Sequence, residues 1–215
     1  MSDDSGDIGR RGFFEQFLRE IVRPVAEFRD ALRGESAPEA APVEGARAPG
    51  DRWLRPPSVR GEWAFLATCE RSGECVQACP ANAIRPFPAD AGRLARTPYI
   101  VAAEQPCVIC TSLACMAACP SGALTPQPMT ALGMGVARVR WDVCLRSEGH
   151  DCQLCAGSCP LHDLGMRVVD IALDGTVHVD EALCVGCGCC ERACPTEPRA
   201  IAVVATRLLA QEERA

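Results

Sequence analysis

Cys184-Val-Gly-Cys187-Gly-Cys189-Cys190-Glu-Arg-Ala-Cys194-Pro195 carries the densest set of metal-binding side chains in this sequence. Cys184, Cys187, Cys190 and Cys194 give the spacing C-x2-C-x2-C-x3-C-P, which suits a 4Fe–4S cluster. Three thiolates on one tight loop reach three corners of one cube. The fourth stands after a helical turn and reaches a different cube, and the proline ends that turn because it has no N–H to donate. Zinc is the plain alternative, but structural zinc sites are built from separated cysteine pairs, which a third cysteine three residues on does not fit.

The run recurs three times in altered form. Cys69, Cys75 and Cys79 precede Pro80, with Ser72 where the second cysteine would fall. Cys107, Cys110, Cys115 and Cys119 precede Pro120, and Cys144, Cys152, Cys155 and Cys159 precede Pro160. An apolar residue follows at one offset, with Ile84, Leu124 and Leu164 each five after the last cysteine of their run. In the last run Ile201 comes seven after Cys194, so Thr196 to Arg199 holds a two-residue insert. An internal repeat thus puts fifteen of the sixteen cysteines in register. The gaps between runs are alike in length, so spacing does not say which runs pair.

The elements that must position these thiols are short. Glu62 to Thr68 reads as a helix feeding Cys69, and short helices are expected after the cysteine loops. Strands are expected at Tyr99 to Ala102, Gly135 to Trp141, Val168 to Leu173, Val177 to Val179 and Ile201 to Val204, with a hairpin turn at Asp174-Gly175. Arg207 to Glu213 reads as a closing helix. The fold class is α+β, ferredoxin-like, a polyferredoxin of two pseudo-symmetric two-cluster lobes over residues 53–215. Ahead of it, 34–52 is a Pro/Ala-rich linker closed by Arg55-Pro56-Pro57. Residues 1–33 hold a polar start and an amphipathic helix, with Phe14, Phe17, Leu18, Ile21, Val25, Phe28 and Leu32 on one face. That face suits docking on a partner subunit, on the chain's own cysteine-rich domain, or on a membrane surface through residues 13–32.

Composition narrows the function classes. The chain has 215 residues, a formal charge of −6 and no lysine. Each oxidised four-thiolate cube adds about −2, so the loaded protein is acidic, which argues against nucleic acid and for partners with basic docking faces. The in-register repeats leave little room for a disulfide scaffold. Aromatic residues make up 5% of the chain, so the clusters themselves would form much of the core. No nucleotide, flavin or phosphate-binding loop stands out, which points away from a lone catalytic oxidoreductase.

From Arg55 to Val204 the chain resembles the NapG/MauM type of multi-cluster ferredoxin. The likeness is carried by Arg55-Pro56-Pro57, Cys75-Val-Gln-Ala-Cys79-Pro80, Thr97-Pro98-Tyr99-Ile100, the second run with Ser121-Gly-Ala-Leu124, Met134-Gly135, the odd spacing of the third run, and Cys194-Pro195-Thr-Glu-Pro198-Arg199-Ala-Ile201. The resemblance implies four cubane sites and electron transfer with a respiratory partner, often a membrane-bound quinol-oxidising protein or a periplasmic reductase. Two departures matter. Arg10-Arg11 lacks the apolar stretch of a twin-arginine export signal, so the expectation is a cytoplasmic protein, with membrane association open and periplasmic export as the alternative. Ser72 stands where the family has cysteine.

The reading that results is a relay of single electrons through three or four iron–sulfur clusters, to or from a redox protein or a membrane-associated oxidoreductase complex. The alternatives are an accessory, maturation or redox-sensing protein, and an enzyme using an open iron at the first run. There Ser72 leaves room for a 3Fe–4S core or an open iron, a serine-ligated cube, a substitute such as Glu70 or Glu74, or an empty site. Cys189 reads as a small buried thiol, His150, His162 and His178 as structural or surface residues, and Trp53, Trp63 and Trp141 as shields of the clusters against water.

Overall fold

The structure is a computed structural model that describes residues 52–59 and 61–207. The amphipathic helix, the linker up to residue 51 and nearly all of the expected closing helix lie outside the described residues. Short helices and three two-stranded antiparallel sheets make up the described part, a mixed α and β architecture. Among the described residues, no helix is long and apolar enough to cross a membrane.

Helix α1 spans Glu62–Thr68, matching the expectation. Glu62 in its first turn favours the positive end of the helix dipole, and Phe65 is its buried residue. Helices α2 (Glu74–Gln77), α3 (Ala114–Ala117), α4 (Leu154–Gly157) and α5 (Cys189–Ala193) each begin one residue before the penultimate cysteine of a run and lead to its last. α2 packs on α3, and α4 packs on α5.

Strands β1 (Arg85–Pro86) and β2 (Pro98–Tyr99) pair with Arg85 opposite Tyr99, and a bridge from Leu54 to Ile100 extends the contact. Strand β3 (Gly135–Val139) pairs with β6 (Ile201–Ala205) from Gly135–Ala205 to Val139–Ile201. Strands β4 (Val169–Ile171) and β5 (Val177–Val179) form the expected hairpin, with Gly175 at φ 87° in the turn. The expected strands at Tyr99, Gly135 and Val168 are each cut short. Val101 onward turns away, Trp141–Val143 forms a 3-10 turn, and the hairpin consumes Leu173.

One apolar core runs through Leu54, Ile84, Ile100, Leu124, Leu132, Leu161, Val169 and Ile201, and it includes the cysteines. A second, aromatic cluster joins Trp53, Phe87 and Tyr99. Against it lies Arg55, 5% exposed, its guanidinium 4.8 Å from the Trp53 ring and 4.7 Å from that of Phe65. Arg55 donates two hydrogen bonds to Glu62 and others to Thr97 Oγ1 and the Pro98 carbonyl. A buried cation needs such satisfaction, since desolvating an unpaired one costs several kcal/mol. Arg55-Pro56-Pro57 is therefore not the end of a linker; all three residues are buried and fasten the chain to α1 and β2.

Two apolar expectations are corrected. Leu164 is 51% exposed, while Leu161, two residues after Cys159, is buried in its place. The tight 3-10 turn His162–Leu164 shifts the third run out of register with the others. The tryptophans do not shield the cysteines: Trp63 and Trp141 are 78% and 40% exposed, and Trp53 belongs to the aromatic cluster.

Candidate iron–sulfur centres

The cysteine loops owe their shape to left-handed backbone at fixed places. The residue just before the second ligand position has φ 60° at Arg71, 49° at Ile109 and 72° at Gly186. The residue capping the next helix has φ 81° at Gly73, 44° at Leu113 and 91° at Gly188. For non-glycine residues such conformations cost of order 1 kcal/mol or more, so packing must hold them. The first, second and fourth runs thus share one loop form. The third, with its longer spacing, does not.

These loops gather ligand candidates from two runs at a time. Cys69, Ser72 and Cys75 of the first run and Cys119 of the second line one cavity with Phe65, Pro98 and Leu124 (site 1). Cys79 joins Cys107, Cys110 and Cys115 (site 2): burial first, then the nearby Cys110 and Cys79, push the Cys115 thiol up to about 11. Cys159 of the third run and Cys184, Cys187 and Cys190 of the fourth line a cavity with Ala137, Leu161 and Val168 (site 3). Cys144, Cys152 and Cys155 line another with Cys194, Val139 and Ile201 (site 4).

The donor set fits iron–sulfur clusters. Among the described residues, no three Cys, His, Asp or Glu side chains converge closely enough to grip a single ion. At sites 1, 3 and 4 the thiols stand instead around voids, with largely apolar linings at sites 3 and 4, as a cube requires and a lone zinc does not. Backbone N–H groups already point at sulfur: Ala83 to Cys79, Leu124 to Cys119 and Ala137 to Cys184, each at 3.4 Å. Bonds of this kind help set the potential of a bound cluster.

The electrostatics call for a cation. Burial and then neighbouring thiols push Cys75 up to about 12, and burial pushes Cys107 equally high. Cys190 is raised by burial and then by Cys187 and Cys184; Cys187 is raised by its hydrogen bond with Cys189 and then by burial. Such thiols become thiolates when a cationic core replaces their protons. Burial also works against ionisation of Cys119 and Cys194, but hydrogen bonds prevail and lower both, from Leu124 and Ser121 in one case and Thr196 in the other.

Sites 2 and 3 touch. The Cys107 N–H donates to the Cys187 carbonyl at 3.0 Å, and the spare Cys189 thiol donates back to the Cys107 carbonyl at 3.5 Å. Cys189, half-buried, lines none of the three cavities. His150 lies on the surface near Glu148, and the exposed His178 ring bonds Thr176.

Two supporting residues were not foreseen. Arg199 donates to the carbonyls of Glu191, Arg192 and Cys194 at the end of α5 and to that of Ala103 in the first half of the chain. The insert between Thr196 and Arg199 was the signal, since it makes room for this arginine. Glu191, 4% exposed beside Cys190, accepts from the Val203 N–H at 2.8 Å and from Arg52 at 3.0 Å. A carboxylate between two cysteines in one helical turn carries no distinctive pattern, so nothing in the sequence marks it.

Comparison with known proteins agrees with this chemistry. A 4Fe–4S dicluster domain matches residues 68–123, and a 4Fe–4S binding domain matches 177–199. The ferredoxin-type protein NapG of Escherichia coli is 35% identical over 211 residues, covering 91% of this chain and 85% of its own. The methylamine utilization ferredoxin-type protein MauM of Methylorubrum extorquens is 37% identical over 175 residues, covering 77% and 79%. Its counterpart from Methylobacillus flagellatus is 32% identical over 210 residues, covering 93% and 85%.

Proposed function

The chain belongs to the NapG and MauM family of ferredoxin-type proteins and is an iron–sulfur electron-transfer protein that works with a redox partner; from that premise we propose that it relays single electrons along a row of four sites, in the order 1, 2, 3, 4. The observation that carries this reading is the sharing of runs. α2 and α3 each connect a site 1 cysteine to a site 2 cysteine, Cys75 to Cys79 and Cys115 to Cys119. α4 and α5 connect sites 3 and 4 through Cys155 to Cys159 and Cys190 to Cys194. Four helical residues advance about 6 Å, so neighbouring sites are close. The Cys107 N–H to Cys187 carbonyl bond and the Cys189 thiol to Cys107 carbonyl bond join the two halves, which we read as two pseudo-symmetric two-cluster lobes.

A bound cluster stores one electron with little change of shape. The chain supplies the rest: fifteen thiols hold the cores, largely apolar linings keep water from sites 3 and 4, and amide N–H groups adjust the charge. Site 3 is the most enclosed, with Cys159, Cys187 and Cys190 all buried, whereas site 1 has no buried ligand and an exposed Ser72. Sites 2, 3 and 4 take 4Fe–4S cubes, and site 1, with three thiols, holds a 3Fe–4S core or a cube with one weakly held iron. The partner is a redox protein or a membrane-associated oxidoreductase complex met on the cytoplasmic side, with residues 13–32 as the tether. Deleting residues 1–33 then weakens partner binding or membrane sedimentation.

Crossed ligation gives the decisive test. Electron paramagnetic resonance of anaerobic Cys79→Ala, recorded oxidised and again after dithionite, is expected to lack the site 2 signal while keeping that of site 1. Cys119→Ala, although in the second run, is expected to do the opposite. Signals lost run by run would refute the sharing.

A further inference from the structure

Of the four sites, site 1 alone has an oxygen where the others have their second thiol. Ser72 stands where Cys110, Cys152 and Cys187 stand in the other runs. The loop has kept its form: Arg71 and Gly73, at φ 60° and 81°, match the left-handed pairs around the second and fourth runs. The Arg71 side chain ties this loop down by donating to the carbonyls of Cys69 at 3.2 Å and Ala95 at 3.1 Å. Ser72 thus lines the same cavity as Cys69, Cys75 and Cys119 from the proper corner. It is exposed, whereas its counterpart Cys187 is 8% exposed and half-buried thiols occupy the corner in the other two sites. No thiol replaces it, because the spare Cys189 is engaged with Cys107.

We propose that the Ser72 corner is a reversible site for a divalent iron ion. The proposal rests on site 1 holding an iron–sulfur core. Cys69, Cys75 and Cys119 keep three irons, because soft thiolate suits them and each sulfur is bound within the fold. A fourth iron bound there would meet only the Ser72 hydroxyl or water where the other sites offer a thiol. A hard oxygen ligand that parts reluctantly with its proton holds it weakly, and solvent reaches it directly. The electron from the redox partner reduces [3Fe–4S]⁺ to [3Fe–4S]⁰, and uptake of Fe²⁺ then gives [4Fe–4S]²⁺ with no further electron. Loss of one electron to an oxidised redox partner would give [4Fe–4S]³⁺, which releases Fe²⁺ and returns [3Fe–4S]⁺. The first site of the row therefore changes its core, and with it its potential, according to iron supply and redox state.

The test uses the full chain, purified anaerobically. After ferricyanide oxidation and desalting, wild type is expected to show the paramagnetic resonance of an oxidised three-iron core. Dithionite and ⁵⁷Fe²⁺ should abolish it, with about one labelled iron per chain appearing by Mössbauer spectroscopy. Ser72→Cys should show neither signal nor uptake, at least tenfold below wild type. Wild type that carries a full cube at site 1 through the cycle, with no three-iron signal and no label, overturns the inference while leaving the relay standing. A site 1 without iron–sulfur, seen as about 12 irons per chain that Cys69→Ala does not reduce, overturns the reading on which it rests.

Discussion

Replacing Gly186 by alanine should damage site 3 far more than the same change at Gly73 damages site 1. Both glycines sit in cysteine loops in the left-handed region, at φ 72° and 81°. An alanine there costs about 1–2 kcal/mol in backbone strain. Around Gly73 nothing lies within 4 Å of an added Cβ, so the cost ends there. Around Gly186 the added Cβ would lie 2.3 Å from the Gly135 nitrogen and 2.4 Å from its carbonyl oxygen. These backbone atoms cannot rotate aside. Gly135 opens β3 in register with Ala205, and the Met134 N–H is bonded to the Val185 carbonyl at 3.0 Å. Overpacking of this kind adds about 1–3 kcal/mol, so Gly186→Ala should cost about 2–5 kcal/mol in all. The assay is anaerobic urea unfolding of the iron-loaded chain, followed by cluster absorbance, with iron counted before the titration. Gly186→Ala should unfold at clearly lower urea and carry fewer irons, whereas Gly73→Ala loses only the backbone strain of about 1–2 kcal/mol and keeps its irons. Equal losses in the two variants would refute the argument from packing.

Other perturbations probe the supports of the sites. Arg55→Met leaves Glu62 without its cation and removes the bonds to Thr97 and Pro98; because Glu62 is 23% exposed, the loss should be about 3 kcal/mol, at the lower end for a broken buried pair, read by urea midpoint. Arg199→Met strips the carbonyls at the end of α5 of a charged donor and cuts the link to Ala103. Because these carbonyls regain some water, about 2–3 kcal/mol should go, with sites 3 and 4 losing iron first in a chelator time course. Anaerobic removal of all iron should abolish near-ultraviolet circular dichroism, since the cysteines are continuous with the core; an iron-free chain that keeps its signal would contradict this.

The sequence shows most plainly what rests on local spacing. The cysteine register, α1 at Glu62–Thr68 and the hairpin at Asp174-Gly175 are each set by a few adjacent residues. Pairing of the runs is not, because it depends on α2 meeting α3 and α4 meeting α5, contacts between segments tens of residues apart. The five-residue offset that correctly buries Ile84 and Leu124 (lengthened to seven at the buried Ile201) fails at Leu164, where the third run turns more tightly after Pro160. The partners of Arg55 and Arg199 are not legible for a related reason. An arginine beside prolines reads as surface until the aromatic rings and carbonyls that receive it are assembled. The tryptophans misled because nearness in sequence to a cysteine run does not aim a side chain at it.

The central claim is that fifteen thiols and Ser72 form four sites in a row. The most direct measurement is iron and acid-labile sulfide per chain on anaerobically purified protein, with Mössbauer spectra resolving the cluster types. The account predicts about 15–16 irons and about 16 sulfides, in three four-iron cubes and one site of three or four irons. About 8 irons, two cubes with seven of the fifteen thiols idle, would contradict it.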